Sequence, residues 1–272
     1  MRGFYMDNRP IGLLDSGFGG LSVVKKVIEK LPNESTVFIG DNAHMPYGNK
    51  TKEAIINLTR KSVKFLLEKD VKLIIIACNT ATAAAMDTMQ KEVEQQIIGV
   101  IQSGALAAAR ATKNKKVAVV ATNVTVNSHA YQKQIKFRDP EIKVTELAAP
   151  KLAPLVEAQK DYATNLEVVK ESLAPLKGKD FDTLVLGCTH YPLIKKEFEE
   201  AINDKNVNIL DPADQVAQYT FNVMRRDGLF SDHQKPTHEY YTTGNAETFD
   251  KLARRFMNDD TLTSKHVDTE NY

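Results

Sequence analysis

The chain has 272 residues, with 36 Lys and Arg against 35 Asp and Glu, a formal net charge of +1 and 42% apolar residues. That length holds one large domain or two smaller ones with a sizeable core. The balanced charge, with no basic run interleaved with aromatics, argues against nucleic acid as the main partner, and no apolar run is long enough to span a bilayer.

The first eight residues show no secretory signal, because no apolar stretch follows Arg2, and Met6 is a second start candidate. Pro10 to Asp15 reads as the first strand. Ser16-Gly17-Phe18-Gly19-Gly20 follows, then an amphipathic helix with Leu21, Val24, Ile28 and Leu31 on one face. A strand, a Gly-rich turn and a helix let backbone N–H groups approach an anion. The glycine spacing matches neither a Walker A loop nor a dinucleotide fingerprint, so the anion need not be a phosphate. Thr36 to Gly40 is a second strand, running through Asp41 into a loop that holds His44 and the turn former Pro46-Tyr47-Gly48. Residues 52–69 form a helix.

Leu73 to Ala77 is a short apolar run that stops abruptly at Cys78-Asn79-Thr80, and an alanine-rich helix follows over 81–90. Such a run reads as a strand of a parallel sheet, buried on both faces. Ile97 to Ile101 is another strand and 103–112 another helix. At Val117 to Thr122 the pattern restarts: a strand, a small polar turn, and a helix over 126–134. After a strand at 143–147, a connector at 149–154 leads to Leu155-Val156-Glu157 and a helix at 161–176. Phe181 to Cys188 then repeats the first cysteine strand, ending in Cys188-Thr189-His190, with a helix from Tyr191 to Ala201. Leu14 aligns with Val120 and Cys78 with Cys188, offsets of 106 and 110 residues, which points to an internal duplication. Two copies of one α/β unit would face their cysteines across a cleft. A strand at 207–210, a helix at about 213–226, an edge strand at 239–244 and a helix at 246–257 complete the chain. The polar residues 259–272 are expected to fray.

Cys78 and Cys188 are the only cysteines, in neither C-x-x-C nor paired-histidine spacing. No metal site is expected, and reduced thiols of a cytoplasmic protein are. Each cysteine is placed at a strand's carboxyl end, where open α/β sheets bind ligands. Each should also face a helix amino end, where the dipole lowers a thiol pKa. Asp15 is the candidate partner of the first thiol, and His190, assisted by Glu157, of the second. Two thiols on opposite faces of a cleft suit stereochemical inversion, one removing a proton from a tetrahedral carbon and the other delivering one to its far side. The same pair would serve disulfide redox chemistry if the sulfurs came close enough to bond. A two-domain module that only binds an acidic ligand is the third possibility.

Asp15-Ser16-Gly17-x-Gly19-Gly20, Gly40-Asp41, Pro46-Tyr47-Gly48, Cys78-Asn79-Thr80, Leu155-Val156-Glu157 and Cys188-Thr189-His190 together resemble the bacterial glutamate racemases of the aspartate/glutamate racemase superfamily. The resemblance runs nearly the whole chain. It implies an α/β protein of two pseudo-symmetric domains, with mostly parallel sheets flanked by helices and the active site between them. The domains would be residues 1–99 plus 210–272, and 100–209. It implies a homodimer that needs no cofactor, interconverts L- and D-glutamate and supplies D-glutamate for peptidoglycan. Cys78 would take the α-proton from D-glutamate and Cys188 from L-glutamate, with Asp15, Glu157 and His190 tuning the thiols. Asp15, Ser16, Pro46, Tyr47, Gly48, Asn79, Thr80, Thr125, Thr189 and His190 would line the substrate site. Two positions depart from the pattern: His44 stands where Arg is frequent, and Ala121-Thr122 where Gly-Thr is. An aspartate racemase of the same superfamily is the alternative within this reading.

Overall fold

A computed structural model describes residues 6–272, so the signal-peptide reading at Arg2 lies outside the described residues. The chain alternates strand and helix almost throughout. β1 (Ile11–Asp15), α1 (Leu21–Lys30), β2 (Thr36–Gly40), α2 (Lys52–Glu68), β3 (Leu73–Ile76), α3 (Asn79–Glu92) and β4 (Gln96–Gly99) form the first unit, and α4 (Val100–Ala111) leads out of it. The second unit holds β5 (Lys116–Ala121), α5 (Asn123–Ser128), α6 (Ala130–Arg138), β6 (Lys143–Ala148), α7 (Leu152–Glu157), α8 (Tyr162–Leu173), β7 (Thr183–Gly187), α9 (Lys195–Ile202) and β8 (Asn208–Leu210). After α10 (Pro212–Asp227), β9 (His238–Thr242), α11 (Ala246–Met257) and β10 (Ser264–His266) return to the first sheet.

The strands form two parallel sheets, ordered β10-β9-β2-β1-β3-β4 and β6-β5-β7-β8. The order β2-β1-β3-β4 recurs as β6-β5-β7-β8, and the register recurs with it. Leu14 pairs with Ile76 in the first sheet, and Val120 with Leu186 in the second. Those pairs carry the same 106- and 110-residue offsets found in the sequence, so the duplication is a property of the backbone. β3 is buried along its whole length, as a central parallel strand between two helical layers must be. One apolar core runs from β1 and β3 through Ile101, Ala105 and Ala108 of α4 and Val216 and Ala217 of α10 to Val117 and Val119 of β5. It ties the two sheets together beneath the cleft.

Several boundaries differ from the sequence reading. Strand β4 ends at Gly99, so Val100 and Ile101 open a helix. The supposed connector at 149–154 already contains the start of α7, whose Pro154 sits in the first turn, where no intrahelical N–H is required. The single helix at 126–134 is two, broken at His129, which adopts a left-handed backbone with φ 55°. β9 is not an edge strand, because β10 pairs along it. The last residues do not fray: Val267 N–H donates to Thr242 O at 2.9 Å, and Leu262 and Thr269 are buried.

Candidate active site

Both cysteines lie where the duplicated frame puts them, just past the carboxyl ends of β3 and β7, and both are buried with free thiols. Cys78 caps α3. Its Sγ accepts from the Ala81 N–H at 3.4 Å, and its S–H donates to Ser16 Oγ at 3.4 Å. The helix end pulls its pKa down, as the sequence reading expects, but does not set the net direction. Burial pushes the Cys78 thiol up to about 12, helped by the Asp15 charge, and the contacts with Ser16 and the Ala81 N–H offset only part of this. Cys188 differs in a second way: a 3-10 turn at Tyr191–Ile194 follows it, and α9 begins only at Lys195, so no α-helix amino end meets this sulfur. The polar neighbour is His190, whose Nδ1 is 3.8 Å from Cys188 Sγ.

His190 links the second thiol to Glu157. Its Nε2 lies 3.1 Å from Glu157 Oε1, out of hydrogen-bond alignment, and its ring packs edge-on against Phe18 at 4.9 Å. Burial alone would lower the imidazole pKa, but Cys188 and Glu157 together raise it to about 10.

Asp15, at the end of β1, does not bond the Cys78 sulfur. Its Oδ2 accepts from the Gly17 N–H at 3.0 Å, and its Oδ1 from Thr189 Oγ1 at 3.3 Å, across the cleft. Burial raises its carboxyl to about 6, against the pull of His190 and the Gly17 and Gly20 amides. A second crossing runs from Thr80 Oγ1 to Thr122 Oγ1 at 2.9 Å and on to Thr125 Oγ1 at 3.1 Å. Ser16, Asn79, Thr80, Thr125 and Thr189 are all buried around these contacts. The Asn79 and Thr80 N–H groups, ahead of the paired Ala81 N–H at the start of α3, add donors of the kind that hold a carboxylate.

The loop after β2 closes one side. Tyr47 is buried and donates to Asp41 Oδ2 at 2.6 Å, while Asp41 Oδ1 accepts from Thr243 Oγ1 at 2.6 Å and meets His44 Nδ1 at 2.8 Å. His44 Nε2 in turn lies 3.6 Å from Glu270 Oε1, so His44 braces the loop against the chain's last turn. Gly48 rests on Thr122, where a Cβ would meet that side chain at 3.1 Å. Pro46 is exposed, joined to Met45 by a cis peptide, and does not enter the cluster.

Two residues that the sequence reading did not assign help to build the site. Asp41 appeared as the start of a loop and within a motif, without a role, yet it is the buried acceptor that fixes Tyr47; an acid at a strand end with a tyrosine six residues on was the available signal. Gly19 appeared as a turn former, yet a Cβ there would lie 2.5 Å from Thr189 Oγ1 and 2.8 Å from His190 Nδ1. Only a glycine lets the second cysteine turn approach the turn before α1 so closely.

The site's titrations also set a stability signature. Asp15 has a folded pKa of about 6 against an ordinary 3.8, so between those values the folded chain holds a proton that the unfolded chain releases. Stability is therefore lost as pH rises through that window. Asn at this position is neutral at every pH. The melting temperature of Asp15→Asn relative to the parent should accordingly rise between pH 4 and pH 7 in paired thermal melts. A pH-independent difference would show that the Asp15 carboxyl is not perturbed.

Residues 11–220 match the Asp/Glu/Hydantoin racemase family. The chain is 89% identical over 267 residues to the glutamate racemase of Lactobacillus acidophilus, covering 98% of this chain and all of that one. It superposes on a glutamate racemase isoform from Bacillus anthracis with a TM-score of 0.94 at 36% identity, over 96% of this chain and 98% of that one. It superposes on the Francisella tularensis glutamate racemase, solved with D-glutamate, with a TM-score of 0.91 at 32% identity, over 98% of this chain and all of that one. With the two-domain frame and full-length agreement both present, this chain belongs to the Asp/Glu/Hydantoin racemase family and is an amino-acid racemase, an isomerase.

Proposed function

We propose that this enzyme interconverts L- and D-glutamate by a two-base mechanism that needs no cofactor, and so supplies D-glutamate for peptidoglycan. The observation that carries the reading is the placing of Cys78 and Cys188 at equivalent strand ends of a duplicated frame, facing one closed cleft rich in hydroxyl and amide donors. The relatives named glutamate racemase support glutamate as the substrate.

The two sulfurs are unequal in a way that suits one direction of turnover at a time. Cys78, its pKa pushed up to about 12, rests as S–H, the form that donates. Cys188 Sγ lies 3.8 Å from His190 Nδ1, and in this proposal it is the sulfur that acts as the base toward L-glutamate. From L-glutamate, the Cys188 thiolate takes the α-proton and Cys78 gives its own proton to the opposite face. D-glutamate leaves behind a Cys188 S–H and a Cys78 thiolate, the inventory needed for the reverse reaction. The charge that develops on the carbanion is met by preorganised donors in a site closed to water. Ser16, Asn79, Thr80, Thr125 and Thr189 would hold the substrate's carboxylates and amino group, with Tyr47 and Gly48 closing over it. Asp15 would act on the first thiol through its charge, and Glu157 would hold the His190 cation. Because Asp15, Ser16, Tyr47, Cys78, Asn79, Thr80, Thr125, Cys188, Thr189 and His190 are all buried, substrate entry requires the two domains to part. The domains in this reading are residues 1–99 plus 210–272, and 100–209. The protein would work as a homodimer in the cytoplasm, where its two free thiols stay reduced; among the described residues no helix is long and apolar enough to cross a membrane.

The test is to incubate the purified protein separately with L-glutamate, D-glutamate, L-aspartate and D-aspartate, with chelator and no added pyridoxal, and to follow optical rotation. Both glutamate solutions should converge on the racemate while aspartate stays largely unchanged. Aspartate turnover equal to that of glutamate would move the assignment to an aspartate racemase. Gly19→Ala provides a sharper probe of the closed cleft. The added methyl drives Thr189 and His190 off the turn before α1, so racemisation should fall at least about a hundredfold, the scale of one misplaced catalytic group, while circular dichroism keeps the parent helix signal.

A further inference from the structure

The two cysteine turns share one side chain that the mechanism above does not use. Tyr131, on α6 of the second unit, is fully buried. Its hydroxyl donates to Asn79 Oδ1 at 2.7 Å, across the cleft, and Asn79 directly follows Cys78. Its ring lies against Gly187, where a Cβ would come within 3.3 Å of Tyr131 Cε2, and Gly187 directly precedes Cys188. Gly104 of α4 leaves similar room at the hydroxyl, 3.1 Å from where its Cβ would be. One rigid ring thus touches the backbone before one cysteine and bonds the residue after the other.

An asparagine amide has one acceptor edge and one donor edge. A flipped amide would turn Nδ2 to the phenol oxygen, which could accept from it, but the phenol's own O–H would then be a buried donor with no acceptor among the described residues. Burial, with the charges of Asp211 and Cys188, also keeps the Tyr131 hydroxyl protonated at any working pH, so the donor is permanent. The free edge of Asn79 is then always Nδ2, a donor, which is the polarity a carboxylate needs.

We propose that Tyr131 is a positioning residue: it locks the Asn79 amide with Nδ2 presented to the substrate's carboxylate, and it sets the spacing of the two cysteine turns. This rests on the glutamate racemase reading for the identity of the carboxylate, but the lock itself is a statement about two side chains.

Tyr131→Phe keeps the ring and removes only the bond. The expected result is a melting temperature close to the parent's, KM for both glutamate enantiomers raised about tenfold, the scale of one hydrogen bond to a charged group, and kcat changed much less. In nitrogen-15 spectra, the Asn79 side-chain amide, assigned by its disappearance in Asn79→Ala, should be protected from solvent exchange in the parent and exposed in Tyr131→Phe. A buried tyrosine with a purely structural role would lower the melting temperature and leave KM where it was. Unchanged KM overturns the proposal whatever the amide does, and so does a Tyr131→Phe protein that fails to fold, since the space-filling ring is retained. If the parent protein racemises no glutamate, the functional reading fails on its own. The amide then decides: lost protection in the variant upholds the lock, and retained protection ends it.

Discussion

Cys188→Ser should lower turnover of both glutamate enantiomers by about a thousandfold or more, in line with the loss of a positioned acid–base group, and Cys78→Ser should do the same. Serine nearly matches cysteine in size, and both sulfurs sit among well-packed neighbours, so the fold should survive. What changes is proton affinity. An alcohol neither gives up its proton to the extent a thiol does nor takes one from a carbon acid as a thiolate does. On the proposed mechanism each sulfur is base in one direction and acid in the other, so the loss should appear in both. Initial rates from pure L- and pure D-glutamate, measured with circular dichroism confirming the parent fold, check this. Full activity in either variant would remove that cysteine from the mechanism.

Lys72→Met should be the most damaging substitution far from the cleft. The Lys72 ammonium is completely enclosed. It donates to the Asp7 and Leu229 carbonyls at 2.8 Å each and pairs with Glu34, whose other oxygen accepts from the Ser231 N–H at 2.8 Å. The site pins three separated segments of chain beneath the first sheet. Removing the cation strands a buried carboxylate and two carbonyls, at a cost of about 3–5 kcal/mol. For a chain of this size that corresponds to a fall of roughly 6–20 °C in melting temperature. Pairing it with Glu34→Leu removes the stranded charge and should recover part of the loss. The rest remains because the carbonyls and the Ser231 N–H still lack partners. Thermal melts of the parent, the single and the double variant test this; a single variant that melts within 2 °C of the parent, as exposed pairs would, rules the buried pair out as a determinant of stability.

Lys72 also shows what a sequence hides. A lysine just before an apolar run looks like a solvated flank of strand β3, and nothing local announces Glu34 or the two carbonyls that enclose it. The strands themselves were legible because their apolar runs end sharply at polar residues, and the repeat was legible because parallel pairing keeps its register, 106 residues on one strand and 110 on its neighbour. β10 was not legible: Ser264-Lys265-His266 has no buried face, and its place comes from backbone bonding along β9. The candidate site divides the same way. Asp15, Ser16, Cys78, Cys188, Glu157 and His190 were visible at strand and helix ends, and the fold brings them to one cleft. Asp41, Gly19 and Tyr131 depend on what lies opposite them, which only tertiary packing specifies. The net direction of the Cys78 pKa was not legible for the same reason. A helix dipole is a local feature of sequence, whereas burial and the nearby Asp15 charge come from the whole fold, and here they outweigh it.

Whether two different sulfurs serve the two faces of one carbon, as proposed, is read directly by isotope exchange. In deuterium oxide at low conversion, D-glutamate formed from L-glutamate should carry deuterium at Cα while the remaining L-glutamate stays protiated, and the reverse should hold starting from D-glutamate. The acid that delivers the proton has equilibrated with solvent, whereas the base that took one faces away from the product. Deuterium entering the recovered substrate as fast as the product, from both starting enantiomers, would mean a single base exchanging with solvent on both faces, and would contradict the pairing of Cys78 with Cys188.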